Sequence, residues 1–346
     1  MTDFVFRKYK EEDKEQVLAL LGANLWHFPH EERLAYFNWK YEQNPYTESP
    51  LAFVCVDDDK IIAFRGYMLQ PICIHGKVFY NAALADTVTD ANYRRMGLFS
   101  RITKYSIEEL DKDSSIVMST NSSSGGPTLN GYLKLGWIPL TERKNLFSFS
   151  WRSFFPKKNI KQEYRRDKKD CSILLSVECR ASEMSTLAIE NIRKDKISVH
   201  TDEGYCKWRF DNPISNFYFA YYYQKNRLVA YVVVKKIGGR KYDIVDFHYQ
   251  SSKQLRCLIS SLHRWLHPLF ILDWTVNKND AINRSPGVFS FVNLNFILKC
   301  INKFNVPPFL VRSTKMNQQD CDWILEGVDM RNIMNWNLHK IIADEI

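Results

Sequence analysis

The 346-residue chain lacks any run approaching the roughly 18 consecutive apolar residues that a membrane-spanning helix needs. Its first residues, Met1-Thr2-Asp3-Phe4-Val5-Phe6-Arg7, hold no apolar core of the kind a secretory leader carries, so the expected compartment is the cytoplasm. Paired cysteines are missing too. The eight present (Cys55, Cys73, Cys171, Cys179, Cys206, Cys257, Cys300 and Cys321) are scattered, with no Cys-x-x-Cys and no Cys/His spacing. That argues against a disulfide framework and a zinc site, and leaves most of them as small buried hydrophobes. His263 and His267 flank Trp265 and Leu266 and read as the end of a packed helix, so no metal is expected. Charge of one sign is not extreme either. A formal net charge of +9 is a mild excess over a large surface, which suits an anionic small ligand and does not by itself call for nucleic acid.

What is present is enough apolar material, 45% of the residues, for two cores. The densest basic run, Pro156 to Asp170, shows no core-forming period and reads as a solvated linker. On either side of it the chain repeats itself. Tyr36-Phe37-Asn38-Trp39-Lys40-Tyr41-Glu42-Gln43-Asn44-Pro45 is echoed by Tyr205-Cys206-Lys207-Trp208-Arg209-Phe210-Asp211-Asn212-Pro213. Downstream, the strand–turn–strand pattern of Ala52–Val56 and Ile61–Phe64 returns as Tyr218–Tyr222 and Leu228–Tyr231. The offsets, 169 residues between Trp39 and Trp208 and 167 between Ala63 and Ala230, stay nearly constant. Two copies of one fold are expected.

The copies differ at one point. In the first, an apolar strand-like run, Ala82–Val88, enters Tyr93-Arg94-Arg95-Met96-Gly97-Leu98-Phe99-Ser100-Arg101 and then a helix-periodic stretch, Phe99–Leu110. A strand ending in a basic, glycine-bearing turn at a helix N-terminus presents unpaired backbone amides to a phosphate. A further strand, Ile116–Thr120, ends at Asn121, and Tyr132-Leu133-Lys134-Leu135-Gly136-Trp137 follows a turn with a helix start. In the second copy the corresponding strand, Tyr242–Tyr249, leads into Gln250-Ser251-Ser252-Lys253-Gln254-Leu255, with neither glycine nor an arginine pair.

The spacing Arg94-x-x-Gly97-x-Phe99 resembles the pyrophosphate loop of GCN5-related N-acetyltransferases (the GNAT family), with Phe99 where that loop usually has Gly or Ala. Tyr132-x-Lys134-Leu135-Gly136-Trp137 is similar to the Tyr-x-Lys-Leu-Gly-Phe ending of the same fold. The tandem arrangement resembles tandem GNAT proteins, and the Trp-Lys-Tyr-x-x-Asn-Pro segment resembles members associated with bacterial surface-glycan synthesis. This implies a mixed α/β (α+β) fold of two GNAT-like domains, each a mostly antiparallel central sheet flanked by helices. Residues 1–152 would be the catalytic domain, 153–172 the basic linker, and 173–346 a degenerate copy that walls the substrate side or packs as a prop.

The resemblance also implies acetyl-CoA as cosubstrate. Its pyrophosphate would rest on Arg94, Arg95, Met96, Gly97, Leu98, Phe99 and Ser100, its pantetheine on strand amides near Val88 and Thr89 and on Asn121. Tyr132 would protonate the departing thiolate, Asp86 would take the proton of the amine, and Arg65 would contact an anionic acceptor. Each has a plainer reading: Tyr132 as a core residue, Asp86 bonded to backbone, Asn121 as a turn residue, Arg65 in a surface ion pair. Lys207 and Arg209 read as exposed polar residues beside the linker. The acceptor is expected to be a small-molecule amine, an amino sugar or sugar nucleotide first among candidates, with oligomeric state left open. A Fem-like aminoacyl-tRNA-dependent transferase and a non-catalytic binding protein are the alternatives.

Overall fold

The computed structural model describes residues 4–141, 144–156, 160–275, 289–293 and 307–343. In the first half, β1 (Val5–Lys8), α1 (Lys14–Asn24) and α2 (His30–Phe37) lead to β2 (Ala52–Asp57), β3 (Lys60–Ile74) and β4 (Lys77–Thr89). Then come α3 (Leu98–Leu110), β5 (Ile116–Asn121), α4 (Gly126–Lys134), β6 (Ile138–Thr141) and β7 (Lys144–Phe149). The second half holds β8 (Glu163–Lys168), β9 (Cys171–Ser176), α5 (Ala181–Glu190), β10 (Ile197–Val199), α6 (Glu203–Phe210), β11 (Phe217–Gln224), β12 (Arg227–Gly238) and β13 (Lys241–Tyr249). It continues with α7 (Ser252–Leu266), β14 (Phe270–Thr275), β15 (Phe289–Asn293) and β16 (Phe309–Ser313). Among the described residues no helix is long and apolar enough to cross a membrane.

Each half repeats the same plan. Antiparallel strands β2-β3-β4 and β11-β12-β13 are extended by one parallel neighbour, β5 or β14, reached through a crossover helix, α3 or α7. The strand residues alternate between two cores because successive side chains leave opposite faces. On β2, Val54 and Val56 join the central core while Phe53 and Cys55 lie under α3; on β12, Tyr231 and Val233 join the central core while Val232 and Val234 lie under α7. The two sheets thus share one apolar layer. At its middle the two repeated tryptophans meet: Trp39 Nε1 donates to the Trp208 carbonyl (2.5 Å), Trp208 Nε1 donates to the Trp39 carbonyl (2.7 Å), and the rings stack 5.9 Å apart.

The sheets do not divide at the boundary expected between 152 and 153. The first sheet runs β1-β2-β3-β4-β5-β16-β6, and the second runs β15-β7-β14-β13-β12-β11-β9-β8. Each half therefore inserts one strand between the last two strands of the other: β16 lies between β5 and β6, and β7 between β14 and β15. The stretch read as a solvated linker also contains β8, which pairs with β9 along its whole length. Its charged residues sit on an outer edge, where charge deters further pairing. Cys55, Cys73 and Cys206 are buried as expected, but Cys171, Cys179 and Cys257 are half-buried and Cys321 is exposed. Cys300 lies outside the described residues.

Candidate active site

The strands β4 and β5 pair only at Tyr80/Ile116 and Asn81/Met118. Beyond that point the Ser119 hydroxyl donates to the Ala82 carbonyl (2.7 Å), and from Ala83 to Thr89 β3 is the one strand that pairs with β4 among the described residues. An open strand edge therefore runs through Val88 and Thr89. It leads into a turn fixed by Asp90, whose carboxylate accepts the Asn92 amide (2.9 Å) and pairs with Lys60 (2.7 Å). Arg94 is extended, Arg95 has φ of 68° and Gly97 has φ of 74°. A Cβ on Gly97 would meet nothing within 4 Å, so the glycine is needed for its left-handed backbone and not for space.

Helix α3 begins there with no side-chain cap. Its first i to i−4 bond is Arg101 N to Gly97 O (3.1 Å), which leaves the amides of Leu98, Phe99 and Ser100 in the uncapped first turn. Arg94, Arg95, Met96 and Ser100 are exposed around it, and Arg94 also donates to Asn24 (2.7 Å). The pseudo-equivalent helix α7 differs. Ser251 and Gln254 form a capping box, with Gln254 Oε1 accepting the Ser251 amide at 2.9 Å, so that helix start is covered by its own chain's side chains.

Behind the α3 turn lies a buried polar group. Arg65, on β3, is 0% exposed; it donates to the Tyr132 hydroxyl (2.7 Å) and to Thr103 Oγ1 (2.5 Å). The rings of Tyr67, Phe99 and Tyr132 surround its guanidinium at 5.3 to 5.9 Å, and its Nε has no partner among the described residues. No carboxylate pairs with it among the described residues, so the surface ion pair is not what holds it. The Phe99 ring packs edge-on to Tyr132 (5.1 Å), behind the Gly97 turn. A Cβ on Gly131 would come within 2.5 Å of that ring, so α4 can pass this close only because position 131 is glycine. Tyr132 is buried between Phe99 and Trp137.

Asp86 faces the other side of the sheet, toward the central core. It sits where β4 bulges against β3, and three donors reach it: Trp26 Nε1 (3.1 Å), Tyr41 OH (2.6 Å) and Lys40 Nζ (2.9 Å). Burial and then the charge of Asp86 push the Tyr41 hydroxyl well above the usual tyrosine range, so it remains a donor. Asn121 is held in its own turn. Its Oδ1 accepts the amides of Ser123 (2.9 Å) and Ser124 (3.0 Å), and its Nδ2 donates to Ser124 Oγ (2.5 Å). Arg209, read as exposed, is 0% exposed and donates to the carbonyls of Ile341 (3.2 Å) and Ala343 (2.5 Å). Lys207 is exposed and pairs with Glu203 (2.6 Å).

Residues 5–139 match the family described as acetyltransferase (GNAT) domain. Solved structures extend the likeness over most of the chain. A probable N-acyltransferase from Enterococcus faecalis aligns with a TM-score of 0.64 at 14% identity, over 91% of this chain and 74% of its own. A GCN5-related N-acetyltransferase from Anabaena variabilis gives 0.65 at 11% identity, over 93% and 74%. A tandem GNAT protein from the clavulanic acid biosynthesis pathway gives 0.53 at 12% identity, over 90% and 99%. No curated protein matches the sequence. At these identities the likeness is one of fold: a mixed α/β fold of GNAT type whose 346 residues accommodate two such domains in tandem.

Within the GNAT frame, Lys40, Tyr41 and Trp26 were not singled out as site residues, although Lys40 and Tyr41 lie in the repeated Trp-Lys-Tyr segment. Only the position of Asp86, an acid inside the apolar run Ala82–Val88, hinted that partners must exist. Thr103 and Gly131 carried no signal at all.

Proposed function

We propose that the protein is an acyl-CoA-dependent N-acyltransferase with one acetyl-CoA site, in the first half, acting on a small-molecule amine. The contrast between the two crossover helices carries the reading: α3 opens on Gly97 with free first-turn amides beside a splayed strand, while α7 is closed by Ser251 and Gln254. The residues present fit acetyl-CoA. The amides of Leu98, Phe99 and Ser100, with Arg94, Arg95 and the turn at Met96, suit a pyrophosphate, and the open β4 edge at Val88 and Thr89 suits an amide-bearing pantetheine arm. Asn121 has its groups engaged in the turn and would contribute there only by leaving Ser124.

Bound acetyl-CoA supplies the acyl thioester and the thiolate leaving group. Tyr132 would hold the proton that the thiolate needs. Its oxygen accepts from Arg65, so its own hydrogen is free to point elsewhere, and the guanidinium faces any negative charge left on the phenolate. Both oxygens of Asp86 are occupied by donors in the central core, so we assign it to holding Trp26, Lys40 and Tyr41 there; the proton of the amine would then leave to water. An amino sugar, free or nucleotide-linked, is the first acceptor to try. The second half would stand on the substrate side; its tie to the first half, the Trp39–Trp208 pair, is a buried core contact.

Isothermal titration with acetyl-CoA should give one site per chain. Gly97→Glu should abolish it, because a carboxylate and a Cβ at that φ oppose both the turn and the phosphate charge. Two sites, or binding that survives the substitution, would sink the assignment. A tRNA-dependent transferase or a non-catalytic scaffold should show no stabilisation by CoA, whereas a ligand at 100 times its Kd adds about 2.7 kcal/mol.

A further inference from the structure

We infer that Asp246, His248 and His339 form a binding site for one divalent transition-metal ion in the second half. Asp246 and His248 stand two apart on β13 and so face the same side of the sheet. His339 arrives from the C-terminal segment, just after Trp336–Asn337 pair with β10. The ligand-capable atoms of the three lie within 4.8 Å of one another. His339 Nδ1 is 2.7 Å from Asp246 Oδ1, and His248 Nε2 is 3.8 Å from the same oxygen.

The surroundings look like those of a ligand set. The second oxygen of Asp246 accepts from the Tyr231 hydroxyl (2.6 Å), which turns Oδ1 toward both imidazoles, and a bonded outer oxygen is the usual support of a metal-binding carboxylate. Phe247 stacks on the His339 ring at 4.5 Å and fixes its plane. Two imidazole nitrogens and one carboxylate oxygen suit zinc and its neighbours better than hard calcium or magnesium. Around a tetrahedral ion with bonds of about 2.0 to 2.2 Å, ligand atoms sit roughly 3.3 to 3.5 Å apart. The present spacings of 2.7 and 3.8 Å bracket that value. The shorter one is a hydrogen bond whose proton the ion would displace. A cavity lined by Ser198, Thr201 and Asn337 adjoins the cluster, with about 10 Å³ of room, enough for one water in the fourth position.

Such an ion would staple the C-terminal segment to β13. That segment also touches the first sheet, since Gln70 on β3 donates to the Ile342 carbonyl (3.1 Å). The role is therefore structural and independent of acyl transfer. No metal was expected from the sequence because His248 and His339 lie far apart along the chain.

Protein stripped with a chelator and titrated with cobalt should take up one equivalent per chain, with the visible absorption of four- or five-coordinate Co²⁺ that zinc then displaces. Zinc should raise the melting temperature of the stripped protein. Asp246→Asn and His339→Ala should abolish uptake, Tyr231→Phe should weaken it about tenfold or more, and His27→Ala, on the exposed surface, should leave it unchanged. Should a ligand variant fail to fold, the wild type and Tyr231→Phe still decide. No stoichiometric uptake by the stripped wild type, uptake equal in Tyr231→Phe, or uptake that survives His339→Ala overturns the site.

Discussion

At the scale of single residues, the pairing of Arg65 with Tyr132 gives a core tyrosine the setting of a proton donor. A buried guanidinium without a carboxylate is costly, and here it is spent on a phenol oxygen and a threonine hydroxyl. If the Tyr132 hydroxyl protonates the leaving thiolate, Tyr132→Phe should lower turnover by roughly 10²-fold or more, the usual range for a lost general acid. Affinity for acetyl-CoA should hardly change, because the Gly97 turn proposed to hold its pyrophosphate is untouched. Steady-state rates combined with titration check this, and unchanged turnover would return Tyr132 to the core. The motif spacing of Arg94, Gly97 and Tyr132 could be read because it is local. Arg65 was readable as a candidate but not as a buried one: its partners, Thr103 and Tyr132, come from α3 and α4, and packing between elements leaves no trace in local spacing. Phe99 and Gly131 are a second case, a large residue after the Gly97 turn accommodated by a missing side chain on another helix.

At the scale of elements, the two crossover helices show how one plan serves two ends. The N-terminus of α3 is open, whereas α7 is capped at its start and closes at His267 with φ of 46°. Within α7, His263 is buried and its Nε2 lies 3.0 Å from Ser148 Oγ on the inserted strand β7. Burial, with the charge of Arg152 adding to it, lowers the His263 pKa from 6.5 to about 4. The neutral ring is thus favoured by folding. Its contribution to stability is fully present above pH 6.5 and is lost as pH falls from there through about 4. His263→Gln can keep the bond to Ser148 without titrating. The variant's melting temperature should therefore fall less than the wild type's between pH 7 and 4.5, and parallel curves would refute the assignment. The reading of this helix end as packed was right for His263 because Trp265 and Leu266 flag an apolar face; His267, one turn on, instead bonds the Phe155 carbonyl at 2.7 Å.

At the scale of the whole molecule, the reciprocal strand insertion makes the halves one object. Repeat, hairpins and crossover helices were readable from sequence because each is fixed by neighbours along the chain. The insertion was not, since β7 and β16 carry ordinary strand patterns and nothing in a strand's own residues says which sheet edge it will join. Its consequence is physical. Leu310, from the second half, is 0% exposed and lies in the core beneath α3 and α4 with Tyr132 and Trp137. Arg312 on the same strand donates to the Leu135 carbonyl (2.9 Å) at the end of α4. A chain cut at residue 152 would leave β5 and β6 without the strand between them and β7 without its sheet, so neither fragment should fold alone. In the intact protein, Leu310→Ala should cost about 2 to 5 kcal/mol, the range for a leucine removed from a packed core. Because the cores are shared, that loss should shift one cooperative transition, seen alike by tryptophan fluorescence, circular dichroism and calorimetry. Two separated transitions, with only one moved by Leu310→Ala, would mean that the halves unfold independently and that the exchanged strands join them without coupling them.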